Sequence, residues 1–277
     1  MKAVPRTGDA THHFDADTAL EPLAERRWRA WAPDHWFVGR GPNGGFLAAV
    51  AARAAEAASG RPLRSLALHF AAAPAVGPLE IAVELEREGR SYTAASVRVE
   101  QEGLPMTLGL ATLGEMPADG AAWDAAVMPA ATPLESTERV PLEQAGIPAF
   151  MRNYDMRWAV GTQPGAADAA PETGGWIRTT EPRLLDAPLV AAMTDAWAPA
   201  AFVALGRFVA APTLDLTIHL RRPVPVAGMA AEDYVLGRFS SRLSVGGVWE
   251  EDGELWTPGG ELIAQSRQLA LVREPRG

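Results

Sequence analysis

The sequence contains no cysteine among its 277 residues. Disulfides, thiolate nucleophiles and cysteine-ligated metals are therefore excluded. Long apolar runs are also absent, because no stretch approaches the roughly 18 uninterrupted apolar residues that a membrane helix needs. The first residues show no apolar segment typical of a signal peptide. We therefore expect a cytoplasmic protein without a membrane partner.

The sequence has fewer basic than acidic residues, 25 against 34, and its formal net charge is −9. Broad nucleic-acid binding needs a basic face that neutralises phosphates. A nucleic acid is therefore not an expected partner, although a few arginines could still hold a small anion. The hydrophobic fraction of 48% indicates a globular protein with a substantial core.

Several catalytic signatures are missing as well. The sequence has no HExxH zinc motif, no GxSxG nucleophile motif and no cysteine–histidine pair. The five histidines lie in the N-terminal arm or beside apolar residues, which is typical of ordinary surface or core histidines. We therefore expect no metal and no cofactor.

A glycine-rich loop precedes the first Ala-rich run and formally contains a GxGxxG string, from Gly39 to Gly44. A dinucleotide-binding fold would need a βαβ unit around this string, whereas antiparallel strand patterns follow it. Free N–H groups at a helix start suit an oxyanion or a carbonyl, so Gly44 and Gly45 are candidate donors. Their alternative role is to permit a tight turn and close helix packing.

The chain does contain an internal repeat of pattern. An Ala-rich run at residues 46–52 aligns with residues 189–195 and predicts a helix in each half. An alternating run at residues 65–70 aligns with residues 213–218, which places Ser65 opposite Thr213. Both halves continue with strand patterns, at residues 79–88, 91–102, 104–113, 234–244, 248–255 and 261–272.

Each half therefore reads as a strand, one long helix and several antiparallel strands, which is an α+β unit. A Pro/Ala-rich stretch separates the two halves and indicates a connector. We predict an N-terminal repeat over residues 1–115, a connector over 116–148 and a C-terminal repeat over 149–277. The active site is assigned to the C-terminal repeat.

Three short motifs in the second half stand in order along the chain: Asp195 in MTDAW, Thr213 in PTLD and Gln268 in AQSRQ. With the order of strand, Ala-rich helix and antiparallel strands, they resemble the acyl-CoA thioesterase II family, whose fold is a double hotdog of two fused repeats. The resemblance covers roughly residues 36–272. In one departure, Phe46 follows the two glycines where the family usually has glutamine.

The resemblance implies hydrolysis of an acyl-CoA substrate to a free acid and CoA, within fatty acid metabolism. It gives Asp195 the role of general base, with Thr213 and Gln268 positioning the water. In the repeat alignment Asp195 falls opposite Ala52, and Gln268 falls opposite Ala111. A buried carboxylate is costly unless it is paired, so its presence in one copy alone favours a chemical role.

Two other functions stay open at this point. A hotdog hydratase or dehydratase acting on enoyl-CoA resembles the same fold, but it uses an aspartate–histidine pair, and no histidine lies near Asp195 in the sequence. A non-catalytic acyl-CoA binding protein would use the same cleft as a sensor. The sequence also leaves open the acyl chain length, and whether the chain stays monomeric or forms a homodimer of double hotdogs.

Overall fold

The computed structural model describes residues 12–117, 119–143, 146–163 and 170–272. Its α-helices are α1 (His13–Asp17), α2 (Gly44–Ser59), α3 (Ala187–Met193) and α4 (Ala200–Leu205). Short 3₁₀ segments lie at Asp34–Trp36, Leu134–Ser136 and Ala149–Asn153. Within these ranges no helix combines the length and the apolarity needed to cross a membrane.

The strands of the first half are β1 (Glu21–Ala24), β2 (Arg27–Ala32), β3 (Phe37–Val38), β4 (Gly41–Pro42), β5 (Leu63–Phe70), β6 (Gly77–Glu88), β7 (Tyr92–Gln101) and β8 (Leu104–Gly114). Those of the second half are β9 (Tyr154–Gly161), β10 (Glu172–Thr179), β11 (Thr213–Leu220), β12 (Val235–Ser240), β13 (Ser244–Val245), β14 (Val248–Trp256) and β15 (Leu262–Leu271). The repeated strand patterns of the sequence are found in both halves.

Both halves contribute to one antiparallel sheet, in the order β1-β2-β6-β7-β8-β5-β11-β15-β14-β12-β10-β9, with β13 beside β14. The halves join edge to edge where β5 pairs antiparallel with β11, so that Leu68 lies opposite Leu216. The predicted α+β double hotdog, in which each half of the sheet packs around a helix, is the observed architecture.

Helix α2 forms the centre of the first repeat. The Asn43 side chain caps its start by accepting a hydrogen bond from the Phe46 N–H, and Gly60 ends it in the left-handed conformation at φ 65°. Six of the eight alanines between these ends are buried. Because alanine is small and favours helix, a long helix can lie close against the sheet here.

The prediction of one long helix in each half is wrong for the second half. Helix α3 starts at the capping residue Asp186 but covers only seven residues. At the C-cap, the Thr194 hydroxyl donates back to the Ala191 carbonyl at 2.8 Å, and Pro199, five residues further on, would stop any longer helix. Asp195 therefore lies just beyond the helix end, at a bend in the chain.

The structure also tests the alignment of the two repeats. The capping residues Asn43 and Asp186 match at the offset that places Ala52 opposite Asp195. On the strands, a bulge follows Leu63 in β5 and Thr213 in β11. Matching the bulges makes Leu63 the counterpart of Thr213, so the predicted counterpart Ser65 is off by two positions.

The division into repeats and connector stays a prediction. The outer ends assigned to the repeats, residues 1–11 and 273–277, lie outside the described residues. The described part of the connector packs on the second half, since the Thr132 N–H donates to the Ala159 carbonyl at 2.9 Å and the Trp176 indole N–H donates to the Thr132 carbonyl at 2.9 Å.

Candidate active site

Asp195 lies where the two repeats meet. Its carboxylate oxygen Oδ2 accepts hydrogen bonds from the Asn43 side-chain amide at 2.9 Å and from the Gly45 backbone N–H at 3.0 Å. The same Asn43 amide also donates to the Asp195 backbone carbonyl at 2.8 Å. The start of α2 in the first repeat therefore holds the carboxylate that the second repeat supplies.

The two glycines make this approach sterically feasible. A Cβ at Gly45 would lie 2.4 Å from the Ala192 carbonyl oxygen, and one at Gly44 would lie 2.9 Å from Asp195 Oδ2. Only glycine allows α2 and α3 to approach this closely. In this structure the Gly45 N–H donates to Asp195, and the oxyanion role of Gly44 and Gly45 stays a prediction.

The structure brings the three predicted site residues together. The Thr213 hydroxyl donates to Gln268 Oε1 at 2.8 Å. Gln268, which is only 5% exposed, lies near enough to Asp195 for its side-chain amide to lower the pKa of that carboxyl. One glutamine amide thus links the hydroxyl at the start of β11 to the carboxylate that follows α3.

Burial raises the pKa of Asp195 from its ordinary 3.8 to about 6, although hydrogen bonds from Gly45, Asn43, Gly44 and Gln268 lower it. The residue as a whole remains partly accessible to solvent. A carboxylate with this pKa is ionised at neutral pH and is a stronger base than an ordinary aspartate. Asp195 therefore has the properties of a general base.

Two buried polar residues of this site were missed by the sequence reasoning, Asn43 and Glu251. An asparagine directly before a helix start is a common cap, which would have located Asn43 but not its bond to Asp195. Strand alternation would have placed Glu251 on the inner face with Trp249 and Gly253. Glu251 Oε1 accepts a hydrogen bond from Gln268 Nε2 at 2.7 Å.

The corresponding positions of the first repeat carry no polar group. Ala52 is the counterpart of Asp195, Leu63 of Thr213 and Ala111 of Gln268. Since Ala95 lies opposite Ala111, as Glu251 lies opposite Gln268, it is the counterpart of Glu251. All four are buried apolar residues. The fold does not itself require polar residues at these positions, so the second repeat carries them for another reason.

Two family profiles match the chain, one over each repeat. The profile of the acyl-CoA thioesterase N-terminal domain matches residues 32–114, and that of the acyl-CoA thioesterase C-terminal domain matches residues 124–272. The chain belongs to the acyl-CoA thioesterase family. Both repeats of the chain are thus accounted for, and Asp195, Thr213 and Gln268 lie in the part that matches the C-terminal domain.

Whole-chain comparisons point the same way. An uncharacterised protein of Mycobacterium tuberculosis H37Rv is 29% identical over 301 aligned positions, which cover 98% of this chain and 99% of that protein. A hotdog-fold protein of unknown function from Alicyclobacillus acidocaldarius superposes with a TM-score of 0.86 at 26% identity, over 96% of this chain and 100% of that one. A protein from Thermobifida fusca YX, provisionally assigned as a thioesterase II, gives a TM-score of 0.81 at 26% identity over 96% and 99%.

Phe46, which stands where thioesterase II proteins usually have glutamine, contributes to the core. Its ring is fully buried and lies 5.2 Å from the ring of Trp36, and Trp36 in turn contacts Tyr154 at 5.9 Å between ring centroids. Helix α2 therefore contributes backbone amides and the Asn43 side chain to the site, but no glutamine side chain.

Proposed function

We propose that this protein hydrolyses an acyl-CoA thioester to a free acid and CoA, with Asp195 activating the attacking water. The observation that carries the proposal is the group formed by Asp195, Gln268 and Thr213. Thr213 hydrogen-bonds the Gln268 amide, and this amide lies beside the Asp195 carboxylate, whose pKa is raised. Membership of the acyl-CoA thioesterase family supports the substrate class. The polar group also occurs in one repeat only, as a single site per chain requires.

The proposed reaction needs no covalent enzyme intermediate. Asp195 removes a proton from water while the water oxygen attacks the thioester carbonyl carbon. The resulting tetrahedral intermediate expels CoA as a thiolate, which takes up the proton that Asp195 holds. Thr213 and Gln268 orient the water, so that its lone pair faces the carbonyl carbon when the proton leaves.

A hydratase or dehydratase reaction has less support from this site. Those enzymes pair the aspartate with a histidine, whereas the described hydrogen bonds to the Asp195 carboxylate come from Asn43 and Gly45. Among the described histidines, His35 instead contacts Asp17 at 2.7 Å. The arrangement around Asp195 therefore favours the activation of water.

The test is a thiol-release assay over a panel of acyl-CoA chain lengths, with crotonyl-CoA followed in parallel by loss of its enone absorbance. We expect steady release of CoA thiol from at least one member of the panel and no hydration of crotonyl-CoA. Hydration without thiol release would identify a hydratase. Binding of acyl-CoA without either reaction would identify an acyl-CoA binding protein. Either of these two results would overturn the proposal.

The raised pKa of Asp195 predicts the pH dependence of hydrolysis. Because the base must be ionised, kcat/KM should rise about tenfold per pH unit below the pKa of about 6, and this slope should decrease as the pH passes about 6. Initial rates of thiol release, measured across this pH range at low substrate concentration, would give the profile. A rise in kcat/KM centred near pH 3.8, the ordinary pKa of aspartate, would contradict the buried environment assigned to Asp195.

A further inference from the structure

Glu251 is a buried carboxylic acid for which the hydrolytic scheme gives no role. It lies on the inner face of β14, directly opposite Gln268 on β15, and only 3% of it is exposed. A carboxyl group in such a place destabilises the fold unless hydrogen bonds compensate. The first repeat avoids this cost, since the counterpart Ala95 is apolar.

Both oxygens of Glu251 accept hydrogen bonds from the two segments that build the site. Oε1 accepts from Gln268 Nε2 at 2.7 Å, and Oε2 accepts from the Ala200 backbone N–H at 2.6 Å. Ala200 begins α4, five residues after Asp195. Glu251 therefore connects the strand that carries Gln268 to the segment that carries Asp195.

The orientation of the Gln268 amide depends on these contacts. An amide can present either its oxygen or its nitrogen to a neighbour, and the Thr213 hydroxyl can both donate and accept. Thr213 alone therefore does not determine which way the amide points. An ionised Glu251 accepts hydrogen bonds only, so it selects the orientation in which Nε2 faces the carboxylates and Oε1 faces Thr213.

We propose that Glu251 is a positioning residue that fixes the Gln268 amide and the segment after Asp195 for water activation. The inference rests on the proposed thioesterase function and adds a residue to it. Glu251 acts through Gln268 and does not touch the substrate. Its ionised form holds the productive orientation, whereas its protonated form has one oxygen that donates and lets the amide turn.

The titration of Glu251 provides a readout that a purely structural role would not move. Burial raises the pKa of Glu251 to about 8, hydrogen bonds from Ala200 and Gln268 oppose the rise, and the charges of Asp195 and Glu250 add to it. Asp195 faces Glu251 from the end of α3, and Glu250 is its neighbour on β14. Activity should therefore rise in a second step near pH 8, above the step that Asp195 produces.

The decisive variant is Glu251→Gln, which imitates the protonated form at every pH. At about pH 9 it should lower kcat by about 10- to 100-fold, the cost expected for a misplaced catalytic group, and leave KM within about threefold. At about pH 6.5, where wild-type Glu251 is mostly protonated, the two enzymes should differ by less than about fivefold. Glu250→Gln, on the outer face of the same strand, is the matched control and should keep both steps, with the second at a somewhat lower pH because one neighbouring negative charge is lost.

Equal losses at both pH values would show a structural role only, and wild-type activity at high pH would also overturn the inference. If Glu251→Gln does not fold, Glu251→Asp keeps an ionisable acceptor, and it should retain the second step with a lower plateau. An Asp variant without that step would contradict the inference equally.

A second measurement separates this inference from the proposed function. The side-chain NH₂ signals of Gln268 in ¹⁵N-labelled protein, identified by their loss in Gln268→Ala, should shift with an inflection near pH 8 in the wild type and not in Glu251→Gln. Absence of thiol release from every acyl-CoA would reject the thioesterase proposal alone. If the pH dependence of the Gln268 signals were the same in the wild type and in Glu251→Gln, the positioning role would be rejected.

Discussion

Replacing Asp195 by asparagine should lower kcat by about 10²–10⁴-fold on the best acyl-CoA substrate, the range expected when a general base is lost. Asparagine retains the shape of the side chain and an oxygen that can accept from Asn43 and Gly45. It cannot take a proton from water. KM should change little, because the reacting water and not the acyl-CoA loses its partner. Thiol release under saturating substrate measures the effect.

The same substitution should not destabilise the protein at neutral pH. Because burial raises the pKa of Asp195 above its ordinary value, the folded state binds the proton more tightly than the unfolded state does. The stability that Asp195 contributes is complete below about pH 4 and is lost as the pH rises through about 6. Asp195→Asn should therefore melt at or above the wild-type temperature at pH 7, and this difference should shrink in acid.

Two comparisons sharpen this test. Gln268→Ala should reduce kcat less than Asp195→Asn, since it removes orientation and leaves the base. Asp186→Asn, at the other end of α3, makes the same chemical change at a helix cap that asparagine also fills, and it should leave kcat unchanged. Wild-type turnover by Asp195→Asn would refute the water-activation mechanism.

Much of the fold could be predicted because short-range patterns in the sequence predict the main elements of each repeat. Alanine periodicity indicated α2, and alternation indicated β6 to β8 and β14 to β15. Strand β10 could not be found in this way, since Gly174 and Gly175 lie in its middle and glycine pairs are typical of loops. A Cβ at either position would meet a backbone oxygen, of Gly237 or Arg157, at about 2 Å. The glycines of β10 thus serve close strand packing.

The candidate site residues Asp195, Thr213 and Gln268 could be named from family motifs, and the broken repeat symmetry added support for Asp195 and Gln268 only. Glu251 lies in the acidic run Glu250-Glu251-Asp252, and only strand alternation distinguishes its inward side chain from its outward neighbours. Asn43 contacts a residue 152 positions away. No local pattern in the sequence predicts a contact over that separation, because the contact depends on how the two repeats pack against each other.

The contact between the helices also predicts a large effect for Gly45→Ala. The added methyl group would lie 2.4 Å from the Ala192 carbonyl oxygen, and because this is backbone, α2 and α3 must separate. Overpacking of this kind typically costs about 1–3 kcal/mol, which the better helix propensity of alanine offsets only by up to about 1 kcal/mol. We expect the melting temperature to fall by several degrees, at roughly 2–4 °C per kcal/mol for a chain of this size.

Gly45→Ala should also lower activity, by more than its lower stability alone explains. The Gly45 N–H and the Asn43 amide both hold Asp195 Oδ2, so separation of the helices moves the base away from Gln268. A displacement of about 1 Å can cost about 10²-fold in rate, and we expect a loss of that order in kcat at a temperature where the variant is folded. Gly259→Ala is the control, because its Cβ would meet only Thr257 Oγ1 at an ordinary 3.7 Å. If Gly45→Ala melted and turned over like this control, the two helices would not depend on glycine for their approach, and the start of α2 would not be what holds the catalytic carboxylate.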